Sequence, residues 1–140
     1  MLLAGCWQSE ADKADEAASI AAALEEYLPV LGEAYAGGDI ETLRPYTAEK
    51  ELARIQALVQ NLVDQGRYLA PEFHSLTIEG THTWNNSNAF VSTLEVWTVR
   101  MHALGSGEML AEDVEESYRV KYQLKRDQNG WRVLFRAIQE

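Results

Sequence analysis

The chain has 140 residues, 46% of them hydrophobic, and its 22 acidic against 12 basic residues give a net charge of −10. That length suits one domain with a buried core, and the composition is that of an ordinary globular protein. The negative charge repels phosphate backbones, so we expect no nucleic acid partner. No run of about 18 apolar residues occurs, and the sequence therefore predicts no membrane-spanning helix.

The first residues resemble the lipobox at which bacterial lipoproteins are cleaved and lipidated. Leu3-Ala4-Gly5-Cys6 has the aliphatic residue, two small residues and cysteine of that motif. The resemblance implies that residues 1–5 are the remnant of a signal peptide and that the Cys6 thiol carries a lipid. Cys6 is the only cysteine, so the sequence offers it no disulfide partner and too few thiols for a metal site. We expect a membrane-anchored domain in the cell envelope that faces the periplasm or exterior, or a cytoplasmic domain if Met1 is the true start.

A polar tether and a long helix are predicted to follow. Residues 6–15 are small, polar or charged, which is typical of a tether, so the folded domain is predicted to span 16–140. Apolar residues at helical spacing then predict a helix that ends at Gly37-Gly38, with a kink at Pro29. These apolar residues are Ile20, Leu24, Tyr27, Leu28, Leu31 and Tyr35.

A short helical turn and a second helix are predicted next. Asp39 is placed to cap a turn that ends before Pro45. Thr47 is predicted to cap a helix that runs to Gln65 and stops at Gly66. Its apolar residues form one wide face, as expected for a helix that packs on a core.

The remaining sequence changes to a period of two, which predicts four strands. We expect them at about 73–84, 89–102, 116–126 and 131–138. Asn85-Asn86 and Asn129-Gly130 are tight hairpin signals. Helices followed by an antiparallel meander predict an α+β fold, with the N-terminal helices packed on a curved four-stranded antiparallel sheet. The second strand is apolar on both faces, so part of its outer surface is a possible contact for a partner or for a second copy in a homodimer.

The outline resembles the nuclear transport factor 2-like cone fold, and within it the Tim44-like intermembrane-space (IMS) domain of cyanobacterial and plastid-division J-domain-like proteins. The segments that carry the likeness are RYLAPEFHSLTI (67–78), AFVSTLEVW (89–97), YRVKYQL (118–124) and GWRV (130–133). Family members often carry a glutamate where this chain has Trp97. The resemblance implies a protein-docking or ligand-holding cone that is used outside the cytoplasm or beside a membrane.

Some cone-fold relatives are isomerases or dehydratases, and such chemistry needs an acid or base in the cavity. The six aspartates are predicted to lie outside the middles of the strands, which leaves Glu79 and Glu95 as the mid-strand acids. We expect Glu95 on the solvated face, paired with a strand lysine or arginine, because glutamate is rarely buried without a partner. The alternative is an isomerase or dehydratase with Glu95 as base and Tyr118 or Tyr122 as hydrogen-bond donor.

Aromatic side chains offer a binding surface instead. Trp97, Tyr118 and Tyr122 are predicted to line a pocket or peptide groove, whereas Trp131 and Phe135 are interpreted as core. The three histidines have no metal-ligand spacing, and no cofactor or metal is expected. The sequence therefore predicts a non-enzymatic, lipid-anchored envelope protein whose cone binds a protein segment or a small apolar ligand.

Overall fold

The computed structural model describes residues 10–37, 39–111 and 113–139. The helices α1 and α2 precede four strands, β1 to β4, which form one antiparallel sheet in the order β1-β2-β3-β4. The predicted α+β fold is thereby confirmed. The elements are α1 (Glu10–Gly37), a 3₁₀ helix (Ile40–Leu43), α2 (Glu49–Asp64), β1 (Arg67–Trp84), β2 (Asn88–Ala103), β3 (Val114–Asp127) and β4 (Gly130–Gln139).

The core lies between α1, α2 and one face of the sheet. On β2 the buried residues recur at every second position, which puts one alternating set inside and leaves Phe90 exposed on the other face. The structure thus shows which of the two apolar faces of this strand packs against the core. Its inner residues are Ala89, Val91, Thr93, Glu95 and Trp97.

Helix α1 begins earlier than the sequence indicated. It starts at Glu10, so residues 10–15, expected to form part of the tether, are helical but exposed. Alanine favours helix in this stretch, and Lys13 Nζ lies 3.8 Å from the Glu10 carboxylate one turn away. Residues 1–9, with the lipobox and Cys6, lie outside the described residues.

Thr47 does not cap α2 as predicted. The helix begins at Glu49, and its capping position is Ala48. Thr47 is buried, its Oγ1 donates to the Leu43 carbonyl oxygen at 2.9 Å, and its backbone pairs with Val133 of β4. The threonine therefore fixes the connection between the two helices to the edge of the sheet.

A bulge changes which residues of β4 face the core. Gln123 pairs with Phe135 and Leu124 pairs with Val133, so Leu134 is an extra residue between them. The alternation then shifts by one, and Phe135 is 48% exposed although its spacing from Val133 predicted a core residue. Arg136 takes the inward position in its place.

The two ends of the molecule differ. At one end, here called the hairpin end, the turns at 85–87 and 128–129 meet the N-terminal half of α1. Arg126 links these parts, because its backbone N–H donates to the Ser87 carbonyl at 2.7 Å and its side chain pairs with Glu16 at 3.0 Å. At the other end, the loop end, the β2–β3 loop meets the end of α2, where the Leu104 N–H donates to the Gly66 carbonyl at 2.9 Å. Helix α1 therefore runs from the hairpin end towards the loop end.

Candidate functional site

Glu95, on the inner face of the sheet, is the centre of a buried hydrogen-bond network. Its Oε1 accepts hydrogen bonds from Trp97 Nε1 at 3.0 Å and Arg136 Nη2 at 2.8 Å. Its Oε2 accepts from Thr93 Oγ1 at 2.8 Å and from the Tyr122 hydroxyl. Glu95 is 0% exposed, so neither oxygen meets solvent. Donors from three strands thus surround one carboxylate.

Arg136 and Tyr122 are also bonded to each other. Arg136 Nε donates to the Tyr122 hydroxyl oxygen at 3.0 Å, and that hydroxyl donates on to Glu95. Burial raises the pKa of Tyr122 well above its ordinary value, and the Glu95 charge adds to this effect. Burial alone lowers the pKa of Arg136, but the neighbouring Tyr122 and Glu95 outweigh it and raise that pKa above its ordinary value. The network therefore holds a neutral tyrosine beside a charged guanidinium.

The prediction that Glu95 lies on the solvated face is wrong, although its pairing with a strand arginine is correct. β2 carries apolar residues on both faces, so its alternation did not reveal the inner one. Being buried near tyrosine hydroxyls is what a catalytic base would require, but all four donors already occupy the carboxylate. A general base needs a free lone pair that faces its substrate. The arrangement is that of a structural ion pair.

An apolar groove of about 390 Å³ lies between the two helices and the sheet, and Trp97 and Arg136 of this network form part of its lining. It lies towards the loop end, because it uses the C-terminal parts of α1 and α2 and the strand ends nearest the β2–β3 loop. Its volume is within the range of small-molecule and peptide pockets. The lining residues are Leu31, Tyr35, Leu58, Asn61, Leu62, Leu69, Pro71, Trp97, Val99, Tyr118, Arg136 and Ile138.

The three aromatic residues predicted for a pocket, and Glu95 of the alternative interpretation, are thus divided between the groove and the layer beneath it. Trp97 and Tyr118 line the groove. Glu95 and Tyr122 do not line it and contact its floor through Arg136 and Trp97. No local pattern in the sequence indicated Arg136, because the bulge that turns it inward depends on the pairing of β3 with β4.

Close packing at Gly32 shapes the groove wall. A Cβ atom at this position would lie 2.5 Å from the Pro71 carbonyl oxygen and 3.3 Å from the Trp97 ring. Phe73 packs edge-on against Trp97 from the opposite strand, with ring centroids 5.2 Å apart. The indole is therefore held by Gly32, by Phe73 and by its hydrogen bond to Glu95, and it presents a fixed aromatic wall.

Exposed apolar residues extend the groove surface. Of the large apolar side chains that are exposed within residues 10–37, 39–111 and 113–139, Leu58 and Ile138 line the groove, and all the others except Phe90 and Phe135 lie at the loop end. Exposed apolar side chains gathered at one end of a molecule favour an interaction site more than the same residues scattered over its surface would. These residues are Leu58, Val63, Leu104, Met109, Leu110, Val114 and Ile138.

The family model described as "ARC6-like, IMS domain" matches residues 30–134. The chain belongs to this family. The resemblance predicted from the strand segments is thereby confirmed. No curated protein matches the sequence. None of the described helices is long and apolar enough to cross a membrane.

Solved structures of the same fold agree with this assignment. The intermembrane space region of the chloroplast protein ARC6 matches with a TM-score of 0.72 at 12% identity, over 94% of this chain and 98% of that one. A periplasmic fragment of TraM matches with a TM-score of 0.57 at 14% identity, over 87% and 96%. Aln2 from a Streptomyces species matches with a TM-score of 0.54 at 14% identity, over 86% and 90%. At these identities the likeness establishes the cone fold of this ARC6-like IMS domain, and no more.

Proposed function

We propose that this ARC6-like IMS domain is a non-enzymatic docking domain, held at an envelope membrane by a lipid on Cys6, whose groove binds an apolar segment of another protein. The observation that carries the proposal is the apolar groove, together with the exposed apolar side chains at the same end of the molecule. A small ligand needs only the enclosed volume. The additional surface around it favours a polypeptide, which covers a larger area.

The position of the groove relative to the N-terminus supports this function. Cys6 lies four residues before Glu10, where α1 begins near the hairpin end. Tyr35 lines the groove 25 residues further along that helix, which corresponds to about 38 Å of helix. A lipid on Cys6 would therefore be attached beyond the end of α1 that is remote from the groove. The similar proteins named for an intermembrane space and for a periplasm are consistent with a location outside the cytoplasm.

Site-specific photocrosslinking tests the docking function. A benzoylphenylalanine at Leu58, which is 43% exposed on the groove rim, is compared with one at Phe90, which is 51% exposed on the opposite face of the sheet. In native envelopes we expect a discrete protein adduct from position 58 and none from position 90. Identical adducts from both positions, or no protein adduct from position 58, would contradict the proposal. If native mass spectrometry then finds a bound small molecule that Leu58→Trp displaces, the groove serves an apolar ligand instead.

The lipid anchor has a separate test. The full native gene is expressed with a clickable palmitate analogue, beside the Cys6→Ala variant. We expect labelling of the parent protein only, since this thiol is the sole cysteine of the chain. Equal labelling of the two proteins would rule out lipidation at this residue, and it would leave the docking function to be decided by the crosslinks.

A further inference from the structure

We infer that the docked segment carries a lysine or arginine next to its apolar residues and that Glu116 binds this cation at the mouth of the groove. The inference rests on the proposed docking function and specifies the chemistry of the partner. Three observations support it: the position of Glu116, the lack of an ion pair for its carboxylate among the described residues, and the Tyr118 ring beside it.

Glu116 is placed on the groove side of the sheet. It pairs directly with Trp97 across β2 and β3, and it lies two residues before Tyr118 on the same face of β3. Trp97 and Tyr118 both line the groove. Burial raises the pKa of Tyr118, and a hydrogen bond between this tyrosine and the Glu116 carboxylate raises it further. The exposed carboxylate thus stands beside the tyrosine hydroxyl at the groove mouth.

No cation of the described chain neutralises this carboxylate. None of the ion pairs among residues 10–37, 39–111 and 113–139 includes Glu116. Arg100, three residues after Trp97 on β2, is engaged by Glu72 and by Asp113, each at 2.9 Å. Arg136, at the groove floor, is paired with Glu95. The positive charge of Arg136 at the groove floor is therefore balanced by Glu95, whereas the negative charge of Glu116 at the groove mouth is not balanced by an ion pair among the described residues.

The surroundings of Glu116 suit a cation attached to an apolar chain. A lysine or arginine bound there would lie beside the ring of Tyr118, which is bonded to Glu116, and aromatic rings attract cations. The aliphatic stem of such a side chain would pack on the apolar groove wall. An anionic lipid headgroup or an acidic peptide would be repelled by the same carboxylate. Charge complementarity therefore selects a segment that is both basic and apolar.

Three short labelled peptides test this inference against the 140-residue chain, with binding measured by fluorescence anisotropy. One contains leucine and lysine, one leucine and glutamate, and one serine and lysine. We expect the leucine–lysine peptide to bind about tenfold more tightly than either other peptide. Glu116→Gln should reduce the preference for the leucine–lysine peptide over the leucine–glutamate peptide about three- to tenfold. Glu116→Lys should reverse this preference. Glu25→Gln and Glu25→Lys make the same charge changes at an exposed position of α1 and should leave the preference nearly unchanged.

The outcomes separate this inference from the docking function. Equal affinity for the two leucine peptides, or equal effects of the Glu116 and Glu25 variants, would overturn the role of Glu116 while the groove still binds. Equal affinity for the serine–lysine and leucine–lysine peptides would indicate general charge attraction and would also overturn it. If neither leucine peptide binds, or if Leu58→Ser weakens neither of them, the docking function itself fails.

Discussion

Glu95 on β2 and Arg136 on β4 form an ion pair across the intervening strand, with Arg136 Nη2 2.8 Å from Glu95 Oε1. The side chain of Glu95 is 0% exposed and that of Arg136 is 13% exposed. Two charges this far from water persist only when each is compensated, here by one another and by Tyr122. Together with Tyr122 of β3, this pair joins three strands beneath the groove, and it positions the Arg136 guanidinium and the Trp97 indole as parts of the groove floor and wall.

Removing the carboxylate should therefore destabilise the domain. We expect Glu95→Ala to lower the free energy of unfolding by about 3–5 kcal/mol, because it leaves the Arg136 charge buried without a partner. The measurement is urea denaturation followed by circular dichroism. Glu79→Ala provides the matched control, since Glu79 pairs with Arg119 at the surface, where such a pair is worth about 0–1 kcal/mol.

A double variant distinguishes the contribution of the ion pair to stability from that of side-chain packing. Glu95→Leu combined with Arg136→Met removes both charges and keeps much of the side-chain volume. We expect this double variant to be more stable than Glu95→Ala, because neither position then holds an uncompensated charge. If Glu95→Ala costs no more than Glu79→Ala, the ion pair does not stabilise the fold in the way proposed here.

The sequence predicted the fold far better than it predicted the groove floor. All four strands were recognised, although β1 begins at Arg67, six residues before its predicted start, and Asn85-Asn86 lie in the first hairpin turn with positive φ values of 54° and 56°. Alternation on β3 also put Tyr118 and Tyr122 on one face. These features depend on local patterns, which a single sequence contains.

The missed features depend on contacts between distant segments. Arg136 is 41 residues from Glu95, and it faces inward only because Leu134 is an extra residue in β4. Glu95 was expected outside because the sequence did not reveal its partner. Thr47 looked like a helix cap, but pairing with Val133 places it in the core. In each case the tertiary structure overrides a local preference.

Gly32 should be required for the approach of α1 to the sheet. In Gly32→Ala the new methyl group would meet the Pro71 carbonyl oxygen at 2.5 Å, so the helix or the strand has to move. We expect a net loss of up to about 2 kcal/mol in the free energy of unfolding, because overpacking costs about 1–3 kcal/mol and the gain in helix propensity is about 1 kcal/mol. The same displacement should weaken binding in the groove, since Pro71 and Trp97 form part of its wall.

Gly37→Ala is the matched control for this substitution. Gly37 lies in the same helix, and a Cβ atom there has no neighbour within 4 Å. Its replacement by alanine should leave stability unchanged or raise it by less than about 1 kcal/mol. Thermal unfolding of the two variants beside the parent chain measures the difference, and equal melting temperatures for both would contradict the steric argument.

Two buried tyrosines predict a loss of stability at alkaline pH. Burial raises the pKa of Tyr27 and of Tyr122 above the ordinary value of 10.0. As the pH rises, the unfolded chain therefore releases these protons before the folded chain does. Their contribution to stability is fully present below pH 10 and decreases above it, by about 1.4 kcal/mol per pH unit for each tyrosine.

Tyr27→Phe isolates one of these contributions. The Tyr27 hydroxyl is buried and has no hydrogen-bond partner among the described residues, so its removal should cost little at neutral pH. Urea denaturation between pH 8 and 11 should give a shallower decline for this variant than for the parent chain. Tyr122→Phe should flatten the decline as well, but with a loss of stability at neutral pH, because that hydroxyl bonds both Glu95 and Arg136. Identical pH slopes for the parent chain and Tyr27→Phe would show that this tyrosine ionises equally readily in the folded and unfolded chain.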